Sequence, residues 1–218
     1  MLLHTVAEGD CFLSIAYDNG FFWETLWNHP NNKDLRKLRK DPNCLFPGDV
    51  VFVPDKRDKA FQRPTGKLHQ FRLKGVPARI TIQLLYCGEP RKNESYKLKV
   101  GSASSEGKTD NNGMVRLSIP PNATEGTLVV GSGDFITEYT LDLGSLDPVD
   151  ETQGVQCRLQ NLGYYAGPLD GTRNDDTIAA LKAFQKEEGK KNPNVKVTGT
   201  LDKLSRDALL MTHDGLQL

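Results

Sequence analysis

From Lys67 to Leu143 the apolar periodicity is two, whereas before and after that stretch apolar residues fall three or four apart. A period of two buries one face of a strand, and a period near 3.6 buries one face of a helix. One chain carrying both, in blocks, predicts an α+β multidomain protein with an antiparallel middle segment. The two changes of period fall where the punctuation is densest. Asp55–Thr65 packs six charges and a proline with no apolar period, and Gly144–Asp150 contains Gly144 and Pro148 just before helical spacing resumes. The expected domains are therefore residues 1–56, a connector at 57–66, a β-sandwich at 67–146 and a helical domain at 147–218.

The length of 218 residues and a hydrophobic fraction of 37% suit several modest cores better than one large one. Lys plus Arg is 28 and Asp plus Glu is 28, a formal charge of zero, which disfavours phosphate-driven binding to nucleic acid. The longest apolar stretch, Arg79–Cys87, is far short of the roughly 18 residues that cross a bilayer, so no membrane insertion is expected. The opening residues lack the basic, apolar and small-residue succession of a secretion signal. The chain is expected either to stay in the cytosol before export, to reach the envelope or periplasm by a route reading no such signal, or to begin after a removed one. Cys11, Cys44, Cys87 and Cys157 lie far apart with no C-x-x-C spacing, which disfavours a zinc site and predicts mostly buried free thiols. A Cys11–Cys44 bridge stays open, because both lie in the first domain.

In residues 4–54 a short strand at His4–Val6 precedes a turn, with Asp10 the expected N-cap of a helix whose inner face is Phe12, Ile15 and Ala16. A second helix uses Trp23, Leu26 and Trp27, then Leu35 and Leu38 after a break at His29-Pro30. The spacing of Trp23 and Trp27 favours core packing over sugar stacking. Val51 and Val53 mark a closing strand. These residues resemble the LysM family. His4-Thr5-Val6, Gly9-Asp10 and Ser14-Ile15-Ala16 follow its opening motif, and Leu45-Phe46-Pro47-Gly48 with Val53-Pro54 follows its ending. The resemblance implies a βααβ fold and binding of N-acetylglucosamine chains. Ligand would then lie between the turn Gly9, Asp10, Cys11, Phe12 and the loop holding Phe46, Pro47 and Gly48. Cys11 replaces the usual small hydroxyl residue, and Asn32–Asp41 inserts charge beside this groove, so loss of sugar binding is the competing expectation.

The middle segment alternates at Arg79–Tyr86, Tyr96–Val100, Met114–Ile119, Gly126–Val130 and Thr137–Leu143, predicting a six- or seven-stranded antiparallel sandwich. Its Gly107–Pro121 run weakly resembles bacterial Ig-like or prealbumin-like modules. Asp110-Asn-Asn-Gly113 lacks calcium-loop spacing and reads as a turn.

In the last segment Val155, Leu159 and Leu162 share one helix face, and Ile178, Leu181 and Phe184 another. Asp175 or Asp176 is the expected cap of the second helix. A third, opening at Thr200 or Asp202, would pack Leu204, Ala208 and Leu209. Leu159-Gln160, Leu162-Gly163-Tyr164-Tyr165, Gly167 and Asp170-Gly171 resemble the three-helix peptidoglycan-binding domain attached to many cell-wall hydrolases. So do Thr177, Ala180, Phe184-Gln185, Thr198-Gly199 and Leu201-Asp202. The resemblance implies a glycan or stem-peptide ligand, with Tyr164 or Tyr165, Asp170, Arg173 and Gln185 as contacts.

His4, His29, His69 and His213 sit at no spacing that pairs a base with a nucleophile, and H-E-x-x-H, G-x-S-x-G and P-loop motifs are absent. No catalysis, cofactor or metal is expected. Two wall-associated resemblances on one chain predict a non-catalytic bacterial protein binding peptidoglycan at both ends, with the C-terminal domain carrying most of the affinity. The rival expectation is an accessory, adaptor or cargo protein of a type VI secretion or phage-tail spike. A hydrolase with an unrecognised site is third.

Overall fold

A computed structural model of the 218-residue chain describes residues 1–57, 60, 62–70, 78–133, 135–144 and 146–215. Parts of the expected connector (Asp58, Lys59 and Phe61), the start of the expected sandwich (71–77), Ser145 and the last three residues of the expected C-terminal domain lie outside the described residues. The chain divides into two compact units, residues 1–145 and 146–218.

The first unit begins with β1 (Leu2–Thr5), antiparallel to β2 (Val50–Val53), with Leu3 opposite Phe52 and Thr5 opposite Val50. Between them lie α1 (Phe12–Asp18), α2 (Trp23–Trp27), a 3-10 turn at Pro30–Asn32 and α3 (Lys33–Arg39). Val6, Phe12, Ile15, Ala16, Leu26, Leu45, Val51 and Val53 form the core, and Trp23 and Trp27 pack against it. Trp27 meets Phe12 edge to face at 4.9 Å, so the tryptophan pair is packing, as its spacing suggested. Buried Asn32 ties α2 to β2. Its Nδ2 donates to the carbonyls of Leu26 (2.8 Å) and Phe52 (2.9 Å), and its Oδ1 accepts from Phe52 N–H at 2.8 Å. Two expectations fail here. The cap of α1 is Cys11, not Asp10: Cys11 Sγ accepts from Ser14 N–H at 3.4 Å, and Ser14 Oγ accepts from Cys11 N–H at 2.9 Å. Leu38 is exposed, because α3 is a short surface helix with no buried residue.

The rest of this unit is antiparallel: β3 (Ala78–Gln83), β4 (Leu85–Tyr86), β5 (Glu89–Pro90), β6 (Ser95–Val100), β7 (Ala103–Lys108), β8 (Met114–Ile119), β9 (Glu125–Ser132) and β10 (Phe135–Asp142). The antiparallel pairing follows the expectation from the alternating pattern. Among the described residues the strands make a four-stranded sheet in the order β10-β9-β6-β7 and the pairs β3-β8 and β4-β5. Leu98, Val100, Leu128 and Val130 from the larger sheet and Val115 from β8 share one core with Leu84 and Leu143. Asp110 holds the turn between β7 and β8, accepting from the backbone of Asn112 (2.8 Å) and Met114 (2.9 Å) and from Arg116 (2.9 Å). Those hydrogen bonds, the Met114 one foremost, hold its carboxyl below the ordinary range. This is turn chemistry. Gly113 has φ +71°, and a Cβ there would stand 2.5 Å from the Leu84 carbonyl oxygen.

Within this same unit the end of the β-region meets the first turn. Gly144 lies so near Gly9 that a Cβ on it would be 2.7 Å from the Gly9 carbonyl oxygen, and a Cβ on Gly9 would touch Thr124 Cγ2 at 3.7 Å.

The second unit contains α4 (Thr152–Asn161), α5 (Asp175–Lys191), α6 (Lys203–Leu209) and a π-helical turn at Leu210–Asp214. Val155, Leu159, Ala180, Leu181, Phe184 and Leu209 form its core, and fully buried Phe184 alone contributes about 2–3 kcal/mol of transfer free energy. Asn174 caps α5, accepting from Thr177 N–H at 2.9 Å, in place of the expected Asp175 or Asp176. Those two acids lie in the first turn instead, where negative charge is favoured. Asp202 caps α6 through Ser205 N–H at 2.8 Å, one of the two alternatives expected. Leu204 is exposed rather than packed, since Ser205 and Leu209 occupy the inner face.

None of the four cysteines forms a disulfide: Cys11 and Cys44 are buried, Cys157 is half-buried and Cys87 exposed. The Cys11–Cys44 bridge does not form. Cys11 Sγ caps α1, and Cys44 Sγ lies 3.8 Å from Asp41 Oδ2.

Candidate functional site

The loop between α4 and α5 is organised from beneath by Gln156, which is fully buried. Its Oε1 accepts from Gly171 N–H at 2.9 Å, and its Nε2 lies within 3.0–3.2 Å of Tyr165 Oη, Asp170 Oδ1, the Thr172 carbonyl and Thr177 Oγ1. A buried amide serving this many loop groups fixes the backbone from Tyr165 to Thr172, because leaving any of them unpaired would cost about 1–3 kcal/mol.

That network decides the fate of the expected contact residues. Tyr165 is buried, its hydroxyl donating to the Pro168 carbonyl at 2.9 Å. Asp170 accepts from Thr172 N–H at 2.8 Å as well as from Gln156, and these bonds hold its carboxyl below the ordinary range. Arg173 donates from Nη2 to the Gly199 carbonyl at 2.9 Å. Gln185 is fully buried: Oε1 accepts from Thr198 N–H (2.9 Å) and Gly199 N–H (2.8 Å), while Nε2 serves the Thr200 carbonyl and Ser205 Oγ, both at 2.8 Å. Tyr165 and Gln185 are thus buried supports of the loops around them, Tyr165 with its ring still beside the surface, while exposed Asp170 and Arg173 each engage one polar atom, Oδ1 and Nη2, within their own unit.

Tyr164 differs. It is half-buried, meets Phe184 edge to face at 5.6 Å, and its hydroxyl has no hydrogen-bond partner among the described residues. Burial, helped by the charges of Glu187 and Glu188, raises the phenol above its ordinary value, so it remains a donor at neutral pH. Beside it opens a depression of about 470 Å³, walled by Tyr164, Tyr165, Ala166 and Gly167 and floored by Asp176, Ala179, Ala180 and Ala183 of α5. The floor residues are spaced to share one helix face. Ala179 and Ala183 were not singled out in the sequence, and Asp176 was read there only as a helix cap. The signal was there in the D-x-x-A-A-x-x-A spacing, but alanines on a helix read as packing.

Residues 149–209 match the family model "Putative peptidoglycan binding domain".

The match covers all three helices of the C-terminal unit and the Tyr164 loop, and supports this unit as a peptidoglycan-binding domain with peptidoglycan as its partner. Comparison with curated proteins and with solved structures gave no match.

Outside the peptidoglycan-binding domain, the residues expected to line a groove near the N-terminus make hydrogen bonds within their own unit. The amides meant to face sugar are already engaged: Asp10 N–H by the Ala7 carbonyl (3.1 Å), Cys11 N–H by Ser14 Oγ, and Phe12 N–H by the Pro42 carbonyl (2.9 Å). The Phe12 bond ties the turn to Pro42, just ahead of the Asn43–Gly48 loop, and the Phe12 side chain is fully buried. Asp10 turns its carboxylate to Ala7 N–H at 2.9 Å and to His4 Nε2 at 2.8 Å. Phe46 donates its N–H to Asp49 Oδ2 (3.0 Å) and lies under the Arg39 guanidinium at 5.5 Å. Pro47 and Gly48 are exposed, with Gly48 N–H on the Val6 carbonyl at 2.9 Å. Gly9 has Gly144 and Thr124 against it. These residues cluster, with several of their backbone amides engaged internally.

Proposed function

We propose that the protein is a non-catalytic bacterial peptidoglycan-binding protein whose affinity resides in the C-terminal unit, at the depression beside Tyr164. The observation that carries this is a half-buried tyrosine hydroxyl without an internal partner, at the wall of an open cavity, in the segment matching a peptidoglycan-binding family. Pockets that hold small ligands combine apolar lining with a few unpaired polar groups, and this one does. The histidines support the non-catalytic reading: His213, the one closest to a carboxylate, lies between Asp214 Oδ1 (2.5 Å) and Asn161 Nδ2 (3.0 Å), in a contact that also serves Arg158. Residues 1–56 are read as LysM-like in pattern, with the Asp10, Cys11 and Phe12 amides of the turn already engaged internally. Such a protein would act in the cell envelope.

Binding to purified sacculi tests the reading. The whole chain should sediment with sacculi, and Tyr164→Ala should lower the bound fraction about tenfold with an unchanged circular dichroism spectrum. Complete recovery of the unaltered chain in the supernatant at low salt would sink the proposal.

The internally bonded N-terminal turn favours a second role for that end. An interaction module of a type VI secretion or phage-tail spike needs no sugar groove, and the chain would then be adaptor or cargo carrying a wall-binding unit. Co-purification of a spike or tail protein with residues 1–145 as bait would support it, and loss of sacculus binding on deleting that segment would count against it.

A further inference from the structure

We propose that the depression beside Tyr164 seats the short peptide of the wall rather than its sugar strand, with an ammonium group of that peptide against Asp176. The inference rests on the reading of the C-terminal unit as a wall-binding domain and adds the chemical class of its ligand.

Three features of the lining carry it. The floor is made of Ala179, Ala180 and Ala183, with Ala166 opposite, so the cavity accepts methyl-sized side chains and offers them apolar contact. Asp176 closes one end of this floor. It is exposed and has no hydrogen-bond or ion-pair partner among the described residues. The one aromatic side chain in the lining with a free polar atom, Tyr164, is held on Phe184 at an interplanar angle of 80°, as a wall of the depression.

Peptidoglycan presents two chemistries: a strand of neutral acetylated amino sugars, and short peptides built from alanine and a diamino acid. A sugar strand is held by several side-chain amides and carboxylates matching its hydroxyls. Here the polar side-chain groups offered are a phenol and a single carboxylate. A neutral sugar offers that carboxylate hydroxyl or amide hydrogen bonds but no counter-charge, the weaker of the two pairings. A peptide with alanine-sized side chains fills the floor, and its free amine gives Asp176 a charge-assisted hydrogen bond. Stripping the peptides from the strand also frees a lactyl carboxylate on alternate sugars, and Asp176 repels it.

The test measures binding of the whole chain to four preparations: intact sacculi, sacculi whose free amines have been acetylated, glycan strands cleared of peptide by an amidase, and the released peptides as soluble competitors. The expected result is binding to intact sacculi, at least tenfold weaker binding to the acetylated and the peptide-free preparations, and competition by the released peptides. Asp176→Asn should weaken binding to intact sacculi about tenfold and make it indifferent to acetylation. Peptide-free strands binding as well as intact sacculi, or acetylation without effect, would overturn the peptide inference while leaving the wall-binding reading in place. Failure to bind any of the four overturns both.

Discussion

Arg158 and Asp214 stand 56 positions apart in the chain, and the guanidinium of the first donates to both carboxylate oxygens of the second, at 3.0 Å from Nε and 2.8 Å from Nη2. Both side chains are buried, at 1% and 6% exposure. Removing one member of such a pair strands the other in a poorly solvated place, so Asp214→Ala should cost about 3 kcal/mol in urea unfolding near pH 7. Burial pushes the Asp214 carboxyl up, but hydrogen bonds from His213 and Arg158 outweigh it and hold the group below its ordinary value. The contribution is therefore complete above the unfolded carboxylate value of about 4 and fades as pH falls through the lower folded value. The gap between Asp214→Ala and the unaltered chain should narrow in acid. A gap that widens there would contradict the assigned direction.

Gln185→Ala should destabilise the C-terminal unit by about 2–4 kcal/mol, because it orphans the amides of Thr198 and Gly199 and the buried Ser205 hydroxyl together. Sacculus binding per folded molecule should stay unchanged. A fully stable variant that no longer binds would return Gln185 to the list of contacts.

Tyr165→Phe removes only the hydroxyl that joins Gln156 to the Pro168 carbonyl. A loss of about 1–2 kcal/mol in thermal unfolding is expected, with the Tyr164 wall intact. Tyr164→Phe should behave in reverse, stable within about 0.5 kcal/mol yet weaker on sacculi.

Cys11→Ser replaces a long Sγ acceptor with a better one at the cap of α1, and should leave stability equal or raise it by about 0.5 kcal/mol. It should confer no sacculus binding on residues 1–145, since the Phe12 amide stays on the Pro42 carbonyl. Titration of that segment against sacculi would show it.

Gly113→Ala drives a Cβ to within 2.5 Å of the Leu84 carbonyl oxygen in a backbone with φ +71°. A cost of about 2 kcal/mol or more is expected in urea unfolding of the first unit. Gly163→Ala has the same sign of φ but no neighbour within 4 Å, and should cost less.

What was legible in the sequence tracks how strongly each element depends on apolar spacing. Strands β3, β6, β8, β9 and β10 were readable because each alternates. The segment Ala103–Lys108 contains no large apolar residue and lies almost wholly exposed at a sheet edge, so β7 left no periodic trace. Caps were half legible. The residue type was right at Asp202, but beside Asp175 the neighbouring Asn174 won, because its side chain reaches Thr177 N–H. At the candidate site, Tyr164 stood out as an aromatic in a glycine-rich loop. Tyr165 looked the same from sequence, and only the Gln156 network separates the two. Gln156 itself was invisible, since a buried glutamine leaves no period.

Arg158 also donates to the carbonyl of Asp147 at 2.8 Å, so one guanidinium holds residue 147 and residue 214 at once. The place where the chain enters the C-terminal unit and the place where its last helical turn ends are thus fastened to a single point. A body whose two ends share one attachment behaves as a plug-in part. It can be spliced into a surface loop of another protein without prising its helices apart, much as domains with neighbouring termini tolerate insertion. Load applied between those ends would run through Arg158, by way of its bonds to the Asp147 carbonyl and the Asp214 carboxylate.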